Sequence, residues 1–518
     1  MNGHAAINRL YRLVWSDRLQ GWVAAAETVR GRGKRSSGVD HALPNAAGTT
    51  AAEARLPDWR PTLVASGLML LSAVAAAAPG STEVPSGGQV VNGQAGIQQN
   101  GAQLQVNQTT NRAVIDWKTF NVGRDAQVRF EQPSAAAVTL NRVHDSQPSQ
   151  ILGQITANGQ VFLVNPSGIY FGKSASVDVG GMVAGTHDIN NADFMAGKAS
   201  FQRNGSTGAV INEGQLRAAL GGYIALLAPE VRNQGVIVAR MGTVALASGE
   251  RVTLKFGAAN SLADIVVEPS QVKALIDNQG AVMAPGGVII LSALALDRLQ
   301  GGVVRNSGTL EATGMVMKGG RIVLEASDRI ENSGRINASA GADGSPAGQV
   351  SLTAPVVVNS GSIAAAALPA VSAMAVVASH GGQIKVVTRE FKQASSGQLD
   401  VSGALKGGSV QVRATKAVEL AGTVDASAAQ GEGGQIEVAA AGDVTLVSAK
   451  LDTSGSAVGG QVRLAAGEEV VATPMQAPRN PLPYQPSVPT LALLGQSQVR
   501  SSSRRGAGGS VTLTGEHV

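Results

Sequence analysis

The chain has 518 residues, 65 of them glycine, with 3% aromatic and 15% charged residues and no cysteine. So few rings and charges exclude one compact core of that length, while 44% hydrophobic residues exclude a disordered chain. The net charge of +5 is concentrated at the start: residues 1–78 hold nine basic and five acidic side chains, leaving 32 and 31 for the rest. A nearly neutral body is a poor partner for phosphate backbones, so no nucleic acid is expected. The missing thiols exclude disulfides, cysteine-ligated zinc and thiol nucleophiles.

The first element is a leader, residues 1–78. Arg55 and Arg60 precede the apolar run from Leu63, which ends in the small residues Ala75, Ala76, Ala77 and Ala78 before Pro79-Gly80. That order of basic, apolar and small residues predicts a secretory signal cleaved in this alanine region. Upstream, Asn8-Arg9, Tyr11 to Trp15, Gly21-Trp22-Val23, Glu27 and Gly31 to Lys34 resemble the extended signal-peptide region of very large Gram-negative exoproteins. These include autotransporters and two-partner-secretion proteins. The low-complexity spacer from Ser36 to about Ala54 departs from that pattern.

From about Gln89 to Asn212, apolar and polar residues alternate between Gly and Asn turns, as in Gln103-Leu104-Gln105-Val106 and Gln127-Val128-Arg129-Phe130. Period two predicts half-buried strands, and helical patterning is almost absent. Within this stretch stand Ile115-Asp116-Trp117, Phe120 to Gly123, Leu140-Asn141-Arg142-Val143, Asn158 to Ile169, Phe171-Gly172 and Val177 to Gly181. In this order they resemble the haemagglutination-activity domain, the two-partner-secretion (TpsA) domain of filamentous haemagglutinin and the high-molecular-weight adhesins. The likeness covers roughly residues 85–330, and a domain is drawn at 79–330.

The resemblance implies a right-handed parallel β-helix recognised by the periplasmic POTRA modules of a TpsB-type outer-membrane transporter. The family's Asn-Pro-Asn-Gly-Ile motif appears as Asn165, Pro166, Ser167, Gly168 and Ile169. By turn chemistry alone the five residues form a corner between two strands. Pro166 fixes φ, Ser167 bonds nearby backbone and Gly168 supplies a positive φ. By resemblance they form the export motif. A second family motif, Asn-Pro-Asn-Leu, is not recognisable.

Beyond residue 205 the chain repeats. Gly381-Gly382, Gly407-Gly408, Gly433-Gly434 and Gly459-Gly460 each precede an alternating run, at intervals of 26 residues. Asn-x-Gly turns recur at Asn233, Asn278, Asn306, Asn332 and Asn359. Each 26-residue unit has three short apolar stretches, such as 410–412, 418–420 and 424–426, which predicts one rung of a three-sided β-solenoid. The all-β repeats are drawn over 331–473. The proline-dense 474–507 is drawn as a linker or excursion, residues 508–518 as a partial repeat, and an Ala-rich excursion near 363–377. Stacked rungs would extend roughly 80–105 Å.

Catalytic motifs are weak. Gly168 to Ser174 has one residue too few for a phosphate loop, and His144-Asp145-Ser146 are chain neighbours, which point apart. The histidines lack metal-ligand spacing. Asp400, Asp425 and Asp452 recur once per repeat and are read as outward turn residues rather than calcium ligands. No catalytic residue, metal or cofactor is expected. The expected function is that of a secreted or surface-held adhesin contacting a host-cell or surface glycan receptor, delivered through the periplasm of a Gram-negative bacterium. Two alternatives stay open: a β-helix polysaccharide-active enzyme, which needs clustered acids with Arg or Lys, and a ligand-capturing, haem-scavenging exoprotein.

Overall fold

The structure is a computed structural model that describes residues 11–16, 21–26, 78–257, 261–296, 301–316, 318–341, 345–367, 380–468, 489–515 and 517. The chain divides into two compact units, Met1–Ser72 and Ala73–Val518. In the first, Tyr11–Ser16 and Gly21–Ala26 pair as an antiparallel hairpin with Trp15 opposite Trp22. The cleavage residues Ala75, Ala76 and Ala77 lie outside the described residues, and Ala78 opens the described part of the second unit.

The second unit is a parallel β-helix whose rungs have three strands each. One rung is Gln160–Val164, Ile169–Phe171 and Ser176–Val179; the next is Gly181–Gly185, Ala209–Asn212 and Gln215–Ala218. Every strand pairs in parallel with its counterpart one rung away. Three faces result. Val, Ile, Leu and Ala point inward and form one continuous core along the stack, where a narrow interior leaves little room for rings. The larger side chains gather near the first rungs: Trp117 meets Phe120 edge-on at 5.5 Å, with Phe130 and Phe171 also buried.

The 26-residue spacing is the stacking register: Gln383, Ser409, Gln435 and Gln461 are Cα partners in consecutive rungs. The boundary drawn at 330 falls inside the strand Arg329–Asn332, which pairs with rungs on both sides. The linker drawn over 474–507 is narrower than that. Residues 474–488 lie outside the described residues, but Leu491–Leu494 pairs with Val444–Val447, and Gln498–Arg500 with Lys450–Asp452. Likewise Ser362–Ala364, placed in the Ala-rich excursion, is a ladder strand, and 368–379 lie outside the described residues.

Two features were not anticipated from the sequence. At the N-terminal end of the stack, Gln89–Asn92 runs antiparallel on Arg112–Trp117, and Ala95–Asn100 antiparallel on Gln103–Gln108. These strands cover an edge that would otherwise expose unpaired backbone. Also, the Asn-x-Gly turns do more than turn. Asn212, Asn233, Asn278, Asn306, Asn332 and Asn359 are almost fully buried. The Nδ2 of each of the first five donates to the Oδ1 of the asparagine in the next rung at 2.7–2.8 Å. In the following rungs, Gln393, Leu420 and Leu446 take the position. The glycines make the corner possible, since a Cβ on Gly280 would lie 2.1 Å from the Gly235 carbonyl oxygen.

Candidate functional site

The five-residue corner follows the strand Gln160–Val164. Its side chains divide sharply by burial. Asn165 is fully buried, and its carboxamide is fully engaged. Oδ1 accepts the Ser167 amide at 2.9 Å, and Nδ2 donates to Gln147 O and to Ser149 Oγ, both at 3.0 Å. The Gly168 amide donates to Asn165 O at 3.0 Å, closing the β-turn. Gly168 has φ +121°, where a Cβ is opposed. Ile169 is buried in the ladder between Ser149 and Val210. Pro166 is exposed and Ser167 half-buried.

The corner is stacked between two neighbours. Below it, Ser167 Oγ donates to Asp145 O at 2.8 Å, and Asp145 Oδ1 accepts the Gln147 amide. Above it, Ser206 Oγ donates to Pro166 O at 2.6 Å. The surface here is therefore a three-storey corner from loops 144–148, 165–168 and 205–208. Only Pro166 and the edge of Ser167 from the motif itself reach solvent.

The Leu140-Asn141-Arg142-Val143 stretch also gains a physical reading. Asn141 points inward, accepts the Trp117 indole N–H at 3.0 Å and donates to Phe162 O at 3.2 Å. Arg142 points outward. Its Nε donates to Asp188 at 2.9 Å, Nη1 to Asn191 at 2.7 Å and Nη2 to Ile189 O at 2.6 Å. Only 13% of its side chain is exposed, which makes these charge-assisted bonds worth more than surface pairs.

The partners of Arg142 belong to the first of two excursions from the stack, residues 186–208 and 249–273. The first contains the helix Asn191–Met195, capped by Asn190, and the strand Ser200–Gln202. That strand joins the hairpin Arg251–Phe256 and Leu262–Glu268 of the second in a three-stranded antiparallel sheet. The excursions cover the outer side of the first face in a second hydrophobic cluster, with Phe162 packed against Phe194 and Phe201, each at 5.8 Å. This explains why Gln160–Val164 and Tyr223–Leu227 are buried at every position, whereas Arg321–Ala326 alternates. The alternation expected up to Asn212 therefore fails on this face.

His187 lies where the excursions meet. It is fully buried, and its Nε2 lies 2.9 Å from Gly249 O. Burial lowers its pKa, with Arg203 acting in the same direction, opposed in part by the Gly249 and Leu227 backbone contacts and by Glu250.

The other residues singled out in the sequence do not converge. His144 Nε2 lies 3.4 Å from Asp116, an acid of the strand Arg112–Trp117 and not its chain neighbour Asp145. Asp400, Asp425 and Asp452 are register partners, and each Oδ1 accepts the amide two residues on, at Ser402, Ser427 and Ser454. Among the described residues no group of three or more His, Asp or Glu is placed to hold a metal ion. A buried glutamine cluster was missed: Gln132 Nε2 donates to Thr139 Oγ1 and Gln160 O, both at 3.0 Å. Gln132 just past a strand and Gln160 at the start of one carry no sequence signal of burial.

Comparison with known proteins agrees with this geometry. The family described as TPS secretion domain matches residues 81–338, and the extended signal peptide of the type V secretion system matches residues 8–54. A heme/hemopexin-binding protein of Haemophilus influenzae is 32% identical over 274 residues, 51% of this chain and 30% of that protein. A second protein of that name is 31% identical over 287 residues, with the same coverage. The chain thus matches less than a third of the length of these relatives. The crystal structure of the HMW1 secretion domain from the same organism superimposes with a TM-score of 0.59 at 23% identity, covering 82% of this chain and all of that one.

Proposed function

The chain belongs to the two-partner-secretion exoproteins, and from that premise we propose how its parts serve export and what the exported protein does. It is a secreted protein that crosses the periplasm and then the outer membrane with a TpsB-type transporter as partner. In our reading, periplasmic POTRA modules take hold at the three-storey corner around Pro166 and Ser167, while Asn165 and Gly168 keep that corner in shape. Outside, the helix grows rung upon rung, and each strand finds its partner in the rung already formed. The parallel pairing of strand on strand through the described rungs carries this proposal. The corner is tested by secretion of the native chain, Pro166→Arg and Asn165→Ala, with and without the transporter. Pro166→Arg should cut export about tenfold or more while the purified protein stays protease-resistant; Asn165→Ala should lose export and resistance together. Undiminished, transporter-dependent export of Pro166→Arg would remove this corner from recognition.

The exported protein acts by binding, without catalysis, as an adhesin-type exoprotein whose receptor is a host-cell or surface glycan. A second reading, capture of haem or of a haem-carrying protein, is supported by the names of the curated relatives. Haem titration of the secreted protein separates the two. A saturable shift of the haem absorption band with one-to-one stoichiometry favours capture. Adherence to cells with no such shift favours the adhesin. Turnover of an acidic polysaccharide would displace both in favour of an enzyme.

A further inference from the structure

The two excursions are held to the stack by an apolar contact and by a small polar seam, and His187 is the titratable centre of that seam. Residues on its flanks are tied by backbone bonds: Asp188 and Gln202 close the first excursion by exchanging N–H···O bonds at 2.8 Å, and the Arg203 amide joins it to the second by donating to Glu250 O at 2.9 Å. The charged groups that face His187 are Glu250 and Arg203, themselves paired at 2.8 Å. Farther out, Asp188 is bound to Arg142 and Glu268 to Arg251. Each acid near the imidazole already has a basic partner, so none is left over to neutralise a second proton.

The imidazole fits in one state only. Its Nε2–H donates to Gly249 O, while Nδ1 is buried with no hydrogen-bond partner. A proton on Nδ1 would bury a positive charge beside Arg203, and the loss of solvation outweighs what the Leu227 carbonyl and Glu250 return to it. We propose that His187 is an acid-released latch: protonation frees the excursions 186–208 and 249–273 from the first face and uncovers the apolar strip around Phe162, Val183 and Leu227.

The sign follows from linkage. The docked state excludes the proton and the undocked state accepts it with an ordinary affinity. The docking contribution is therefore complete above the free imidazole pKa and is lost as pH falls below it. For an undocked pKa of about 6.5, the opening equilibrium rises by up to about 30-fold between pH 7.5 and pH 5.0.

The test is amide hydrogen exchange on the full chain at these two pH values, corrected for intrinsic rates. Amides of Ser200–Gln202 and Arg251–Phe256 should gain up to about that factor in opening, with those of Arg329–Asn332 unchanged. In His187→Gln the side-chain amide can still donate to Gly249 O but cannot titrate, so the pH response should vanish. An equal response in both proteins, or none in the native chain, overturns the latch. Should His187→Gln fail to fold, the native His187 ring, followed by NMR with labelled histidine, decides. Titration below the free value accompanied by opening supports the latch, and titration at or above about 6.5 overturns it.

Discussion

Buried asparagines do different jobs in the described rungs, and the hydrogen-bond partners of each side chain tell them apart. Asn165 fastens a corner, Asn141 holds the Trp117 indole, and six others form an amide ladder. The sequence made the Asn-x-Gly corners legible because glycine two residues after asparagine is a turn signal. It did not show that the carboxamides point inward, since period and composition do not fix the direction of a corner side chain. The ladder carries a prediction. Asn306→Leu leaves the Asn278 donor and the Asn332 acceptor without their partner, at a cost of about 2–4 kcal/mol. Local exchange protection in the rungs around residue 306 should fall accordingly. Leucine itself is no obstacle, because Leu420 and Leu446 occupy the same column; the stranded neighbours are.

At the level of elements, the export domain differs from the later repeats by its cover. Stretches such as Tyr223–Leu227 and Val288–Ala293 visibly lack alternation, a readable sign of burial on both sides. What buries them could not be read, because Phe194 and Phe201 arrive from an excursion whose own sequence looks like loop. Phe162→Ala removes the ring that both phenylalanines touch, for a loss of about 3–5 kcal/mol. The expected outcome is protease cleavage within 186–208 and 249–273 at pH 7.5, with the rungs from Arg321 onward intact. Cleavage spread through all rungs would mean that cover and stack unfold as one unit.

For the molecule as a whole, the solenoid was the most legible feature, since four Gly-Gly pairs at a fixed interval give the rung length directly. The antiparallel strands at the N-terminal end were not legible, because Gln89–Asn92 and Ala95–Asn100 have the same alternation as ladder strands. Direction of pairing leaves no mark in a period. The rung at Leu491–Leu494 and Gln498–Arg500 was hidden by the prolines before it. A long insertion at a corner breaks the sequence interval without breaking the stack.

The register through Gln383, Ser409, Gln435 and Gln461 gives this part of the chain something like a reading frame. Excising residues 409–434 would bring Gln435 onto Gln383, with the same inward and outward alternation as before. The shortened protein should keep its protease resistance and its exchange protection on either side of the junction. Excising one residue fewer would turn every inward side chain of the following strand outward, and protection beyond the junction should collapse. Whole rungs are thus the unit in which this surface can lengthen or shorten, and its reach can change by simple recombination while its chemistry stays the same.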